Sequence, residues 1–598
     1  MSILLGGEIM IFYDFEVFAF DWLVVLFDGE NVTRIHNDGE CLTEYYNQHK
    51  NDVWVGYNNK GYDQYILQCI LCGLNPKRLN DWIIKEHKAP WKFSELLKQY
   101  PVNTFDCMVF GKSLKQLESY LGVNIHETDV DFDIDRPLTE DELELEFKYC
   151  ASDVENTVRI FLLNKEEFNA SMGLVKYANL PISNLSKTKA QLTAHIMQAK
   201  PLDKKLYDEE FEFEYVQAVK DYDYKHKDVI DFFNGIRQSK DSTASYDTVL
   251  YGCPTTFALG GIHGAIPNYI SSLQEDECIQ HTDIASFYPH LMKNWGLISR
   301  AIPSVEHLSD IMAERLKLKH EKNPMQKVLK ICINSLYGVS GAGKRLPTGD
   351  YKVLSTVYDP KRMREVCING QLLILQLVEE LGQYTQFSCI QLNTDGIVYK
   401  MKKSDLPLYK EIVSKWEERS RMTMEYDNIS FLAQRDVNNY IAVFDGGVWE
   451  RKGGVFKKSS ALDYDLPIIQ NAVCEYFING VHPKEYVERE NMLMPFMKTY
   501  KVSSSYLYAT HNGVKQEGKV FRIFASRRRG DTPLYKAKDK GEKGIVEEKF
   551  ANCPNCFIEN GDIRDKTVPR QLNKKWYINY AIKQINSVYG YEKLESIV

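Results

Sequence analysis

The chain is 598 residues long, and at roughly 150 residues per domain this predicts several domains rather than one core. Its 44% hydrophobic and 26% charged content excludes collagen-like, low-complexity and wholly disordered chains. With 74 Lys and Arg against 82 Asp and Glu, the net charge of −8 predicts that any polyanion is held locally and not over the whole surface.

The first ten residues, MSILLGGEIM, lack a basic start and a long apolar stretch, so they read as an extension ahead of Met10 and not as a secretory signal. Residues 11–27 alternate and then run apolar in the manner of strands, followed by a turn at Asp28-Gly29-Glu30-Asn31. Thr139 before Glu140, Asp141 and Glu142 predicts a capped helix over 139–164. Strands followed by helices through the first 165 residues point to an α/β domain. Leu202 to Gln238 reads as helical, charge-rich connecting material. Gly252, Gly260, Gly261 and Gly264 then allow close backbone approach. Helix patterns follow at 305–340 and 360–382, and a strand, turn, strand unit at 386–401. No apolar run reaches the roughly 20 residues that cross a bilayer, so no membrane partner is expected. Thirteen cysteines, several in apolar segments, predict free thiols and a cytoplasmic location.

The chemical signal is in the carboxylates. Asp14 and Glu16 are two apart on a strand and share one face. Like charges inside an apolar segment call for neutralising cations. Asp63 follows Asn58 and Asn59 at the end of a strand-like run, and Tyr149 and Asp153 project from one helical face. Four carboxylates with a tyrosine suit two-metal hydrolysis of a phosphodiester, the tyrosine orienting the water. A second group comprises Asp283, ending a short strand, and Asp395, in an Asn-Thr-Asp-Gly hairpin turn. Lys327, Lys330, Asn334 and Tyr337 form one polar stripe on a helix, suited to a triphosphate and a base pair. From Lys498 to Lys543 there are 12 basic residues and 4 acidic ones, including Arg527, Arg528 and Arg529, which suits a surface that tracks phosphates.

Taken in order, these motifs resemble the family B DNA polymerases, notably compact bacteriophage members with a 3′–5′ proofreading exonuclease. Asp14 and Glu16 match the first exonuclease motif, Asp63 with Asn58 or Asn59 the second, and Tyr149 with Asp153 the third. Asp283-Ile284-Ala285-Ser286-Phe287-Tyr288-Pro289, Lys330 to Gly338, and Asn393-Thr394-Asp395-Gly396 match the three polymerase motifs. Ser113-Leu114-Lys115-Gln116-Leu117 resembles a single-strand-binding element.

The resemblance implies an α/β and α+β multidomain fold: an RNase H-like exonuclease domain over 1–165, connecting helices over 166–250, a palm over 251–304 and 346–455, fingers over 305–345, and a thumb with a DNA-binding region over 456–598. It implies two Mg²⁺ or Mn²⁺ ions per active site, held by Asp283 and Asp395 for synthesis and by Asp14, Glu16, Asp63 and Asp153 for proofreading. Lys330, with Ser286, Phe287, Tyr288, Arg315, Lys319, Asn334 and Tyr337, would bind a deoxynucleoside triphosphate. Asn58, Asn59, Ser113, Leu114, Tyr440, Lys452 and Arg527 to Arg529 would meet primer-template DNA. The expected enzyme is a monomer that replicates a phage or mobile-element genome and works with replisome proteins.

Three features depart from the family pattern. Asn393 replaces the first Asp of the third polymerase motif. The primer-gripping Lys-x-Tyr element is Asn438-Asn439-Tyr440. Only 47 positions separate Asp283 from Lys330, room for little beyond a pair of finger helices, which disfavours the sizeable insertion and the protein priming of some relatives and favours synthesis from an existing primer. Cys553 and Cys556 have the spacing of half a zinc site but no partner pair, and read as free thiols, while Cys69 and Cys72 read as core.

Overall fold

The computed structural model describes residues 9–125, 127–128, 130–346 and 350–597; residues 1–8, most of the expected N-terminal extension, lie outside these. The N-terminal unit is a five-stranded mixed sheet of β1 (Met10–Val17), β2 (Trp22–Phe27), β3 (Val32–His36), β4 (Val53–Gly56) and β5 (Thr104–Asp106). Its order is β3-β2-β1-β4-β5, with β1 antiparallel to β2 and parallel to β4. The β2–β3 turn closes as expected: Asp28 Oδ1 accepts from the Asn31 N–H at 2.7 Å and Gly29 takes a positive φ of 98°. The sheet is packed on one face by the helix Glu140–Leu163, whose Thr139 and Glu142 form a capping box.

A ten-stranded sheet carries the middle of the chain. At its centre the strand Glu277–Ile284 lies antiparallel to Gly396–Lys402 on one side and to Met424–Asp436 on the other. One face packs on the helices Phe287–Asn294, Pro360–Leu381 and Leu406–Ser420 through a core that includes Leu291, Leu372, Tyr399 and Trp416. Two helices, Glu306–His320 and Met325–Ser340, form a pair beside this sheet.

The stretch from Leu202 to Gln238 is not the continuous helix its composition suggests. Its long helix is confined to Lys227–Ser239, and residues 214–226 run as loop and one short turn of helix. Buried polar groups on the helix Pro360–Leu381 hold that loop: Asn369 accepts from the Val216 N–H at 2.8 Å, and Glu379 from the His226 N–H at 2.8 Å. Tertiary partners for loop backbone replace the internal bonds a helix would have made.

The C-terminal part forms two small sheets and a final helix, Lys574–Tyr589. That helix shares one apolar cluster with the N-terminal sheet: Phe12, Val154 and Ile160 are continuous with Phe496, Tyr577 and Ile582. All thirteen cysteines are free thiols. Among the described residues, no helix is long and apolar enough to cross a membrane.

Candidate active sites

The first site lies on β1. Strand alternation turns Phe12, Asp14 and Glu16 toward the helix Glu140–Leu163, while Tyr13 and Phe15 enter the opposite core. Oxygens of Asp14, Glu16 and Asp153 all lie within 4.8 Å of one another. Burial, then the neighbouring Asp63 and Asp153 charges, pushes the Asp14 carboxyl well up. Glu16 is raised in the same way, by burial and then by Asp14. Hard oxygen donors this close suit Mg²⁺ or Mn²⁺; Cys150 Sγ adjoins them as a donor, 3.7 Å from Asp14 Oδ2. Asp153 also accepts from Lys115 Nζ at 2.6 Å. Lys115 Nζ lies 4.5 Å from the Tyr149 ring centre and bonds Glu118 Oε1 at 3.1 Å.

Asp63 opens the helix Asp63–Leu71 and is 4% exposed. Its Oδ1 accepts from the Phe15 N–H at 3.1 Å, between Asp14 and Glu16. Burial raises it to about 7. It adjoins the tight trio without belonging to it.

The second site is the floor of a cavity of about 420 Å³. Asp283 pairs with Gly396 across antiparallel strands, and the Ile284 N–H donates to the Asp395 carbonyl at 2.7 Å. A β-carbon on Gly396 would stand 2.7 Å from Asp283 Oδ1, which is why glycine follows Asp395. Burial raises Asp283 to about 7, followed by the charges of Asp395 and Glu425. The opposite wall carries Arg315, Lys319, Lys330 and Asn334 from the helix pair. Ser286, in left-handed conformation at φ 50°, starts the helix Phe287–Asn294 and accepts from Arg315 Nη1 at 3.4 Å. Phe287 and Tyr288 also border the cavity, and the Tyr288 ring lies 4.2 Å from that of Tyr337. Among the described residues, Arg315 Nε is buried without a hydrogen-bond partner. A cavity lined by three carboxylates, Asp283, Asp395 and Glu425, and by the cations Arg315, Lys319 and Lys330 can hold a polyanion together with a divalent ion.

Other sequence-predicted residues fall elsewhere. Lys327 leaves the polar stripe and pairs with Glu166 at 3.5 Å, because its position at the start of the helix looks away from the cavity. Asn59 cannot meet DNA: it is fully buried, and its amide donates to Thr104 Oγ1 at 2.9 Å. Asn58, in left-handed conformation at φ 60°, is tied by its N–H to Asp106. Ser113 caps the helix Leu114–Leu121, in which Leu114 is half-buried. Tyr440 pairs with Lys452 across strands and donates to Glu450 at 3.1 Å. Arg527, Arg528 and Arg529 are exposed. Several members of the basic segment make protein contacts: Lys498 pairs with Asp465 at 2.6 Å and Lys540 with Glu548 at 3.1 Å, Arg527 Nε donates to Arg570 O at 2.6 Å, and Arg522 is completely buried. Cys553 and Cys556 lie in the C-terminal core, as Cys69 does in the N-terminal one; Cys72 is half-buried.

Sequence reasoning missed Glu425, which pairs directly with Asp283. Glu425 and Asp427 are two apart on a strand, the same pattern that singled out Asp14 and Glu16. It also missed that Lys115 reaches Asp153, for which the sequence carries no signal.

No protein-family model and no curated protein sequence matches the chain. Among solved structures it is similar to the family B DNA polymerase from the hyperthermophilic archaeon Pyrobaculum calidifontis, at 13% identity and a TM-score of 0.44, over 98% of this chain and 78% of that one.

Proposed function

We propose that this chain is a template-directed DNA polymerase with a 3′–5′ exonuclease. The observation that carries the reading is the cavity lined by Asp283, at the end of a central strand, by Asp395, in the turn before the strand paired with it, and by Arg315, Lys319 and Lys330. Phosphoryl transfer depends chiefly on positioning and on stabilising charge, and this arrangement supplies both.

Asp283 and Asp395 would hold two Mg²⁺ or Mn²⁺ ions, which lower the pKa of the primer hydroxyl and neutralise the triphosphate. Lys330, Arg315 and Lys319 bind the triphosphate oxygens, and backbone amides at Ser286 and Phe287 add donors. Tyr288 lies beneath the sugar and excludes a 2′-hydroxyl, selecting deoxynucleotides, with Tyr337 against its ring and Asn334 beside the incoming nucleotide. The ten-stranded sheet acts as palm and the helix pair as fingers. Tyr440 and Lys452 on the sheet, and Arg527 to Arg529 beyond it, contact primer-template DNA.

In the N-terminal unit, read as an RNase H-like exonuclease domain, Asp14, Glu16 and Asp153 with Asp63 would hold the ions for hydrolysis. Tyr149 orients the attacking water, and Ser113, Leu114 and Asn58 receive the frayed single strand. The short span between Asp283 and Lys330 favours extension of an existing primer.

The deciding experiment is Mg²⁺-dependent extension of a primed template. Activity in the wild type and its loss in Asp395→Ala are expected; a wild-type protein that binds the DNA without extending it overturns the reading.

A further inference from the structure

Arg522 is a buried cation that hydrogen-bonds no carboxylate among the described residues. It lies on the strand Val520–Ala525, is fully buried, and spends its guanidinium on backbone carbonyls of distant segments. Nη2 donates to Val123 O at 2.7 Å, Ser119 O at 3.0 Å and Glu118 O at 3.2 Å, and Nε donates to Ser119 O at 3.2 Å. Nη1 donates to Gly561 O at 2.7 Å. Glu118 and Ser119 are in the last turn of the helix Leu114–Leu121, the negative end of its dipole, where Ser119 O also accepts from the capping Gly122 N–H at 3.1 Å. Around this grip, Ser119 Oγ and Thr499 Oγ1 are 2.7 Å apart, the Ile125 N–H donates to Asn560 O at 2.8 Å, and the Ile563 N–H to Gly122 O at 2.8 Å.

The same helix carries the basic residue of the carboxylate cleft. Lys115 lies one turn before Glu118 and Ser119, so the face held at one end by Arg522 presents Lys115 Nζ to Asp153 and to Glu118. Glu118 is braced in turn by Asn156 Nδ2 at 3.2 Å, from the helix that bears Asp153. Stability alone does not call for a buried cation here, since buried charges are often replaced by apolar residues at no loss. A planar fork with five donors does fix the position of the carbonyls it binds.

We propose that Arg522 is a positioning residue for the N-terminal carboxylate cleft, through which the C-terminal part of the chain sets the place of Lys115 and hence of the Asp153 carboxylate. This rests on the nuclease reading of that cleft.

The test uses the full chain with Arg522→Met and Arg522→Lys. Three quantities are compared with wild type: removal of a mismatched 3′ end, extension of a matched primer, and Mn²⁺ binding by the cleft, the last followed by electron paramagnetic resonance with Asp283→Asn and Asp395→Asn in the background. Displacing a reacting group by about 1 Å costs up to roughly 100-fold. The expected result is a nuclease turnover lowered about 10- to 100-fold and weaker Mn²⁺ binding, with extension within about twofold of wild type. Lysine fails as methionine does, because it lacks the fork; it also carries the same readouts if Arg522→Met does not fold. Unchanged nuclease turnover and Mn²⁺ binding in a folded variant overturns the proposal. So does a parallel fall of nuclease and extension, which marks a general loss of structure. A wild-type protein with neither nuclease activity nor Asp14-dependent Mn²⁺ binding overturns the nuclease reading itself, and is told apart because the defect precedes any change at Arg522.

Discussion

Asp283 and Gly396 face each other across two antiparallel strands, and an Asp283 carboxylate oxygen occupies the place, 2.7 Å away, where a side chain at 396 would begin. Gly396→Ala therefore moves the Asp283 carboxylate and little else, since the far end of a side chain shifts more readily than backbone. Primer extension is expected to fall at least about 10-fold, with a melting temperature near that of wild type. A kinetic assay beside a thermal melt checks both.

The helix pair presents its cations to the cavity unequally. Lys330 faces the cavity, whereas Lys327, one turn earlier, pairs with Glu166 on the surface. Lys330→Ala is expected to lower the single-turnover extension rate by roughly 100-fold, and Lys327→Ala to change it by less than about twofold, because an exposed pair contributes little. Equal effects would place the stripe differently from the structure.

Acid in the Asp283 cavity makes stability depend on pH. Asp283 is raised to about 7 by burial and by Asp395 and Glu425. The folded state then holds a proton that the unfolded chain gives up near pH 4. Its contribution to stability is full below that value and is lost as pH rises through 7. In EDTA, Asp283→Asn is expected to melt roughly 1–3 °C above wild type at pH 8, with the difference gone near pH 4. Added Mg²⁺ should raise the wild type at pH 8 by more than it raises the variant, which keeps the carboxylates of the N-terminal cleft.

At the N-terminal cleft, Asp14→Ala and Asp153→Asn each remove a carboxylate from a trio whose oxygens lie within 4.8 Å. Degradation of a mismatched primer end is expected to drop by about three orders of magnitude or more, with matched extension retained. Gel analysis of both reactions on one preparation separates the two sites.

Binding of DNA should respond to the exposed arginines. Replacing Arg527, Arg528 and Arg529 together by alanine is expected to weaken duplex binding and reduce the slope of log affinity against log salt by roughly 2 to 3. Fluorescence anisotropy over a salt series measures it.

The amino-acid order by itself determined which atoms could do chemistry and the local form of the elements that carry them. Period-two alternation put Asp14 and Glu16 on one face, a capping box started the helix of Asp153, and Asp395 came at a strand-to-strand turn, because each depends on neighbours within a few residues. Only the tertiary structure decided which of those atoms meet. Pairing of Glu277–Ile284 with strands more than a hundred residues away brought Asp395 and Glu425 to Asp283, and such non-local register leaves no trace in local pattern. Folding also decided which charges would serve the protein's own structure. Arg522 and Arg528 are the same residue type six positions apart, yet one is sealed against helix carbonyls and the other open to solvent, because burial is a property of what packs against a residue and not of the residue itself.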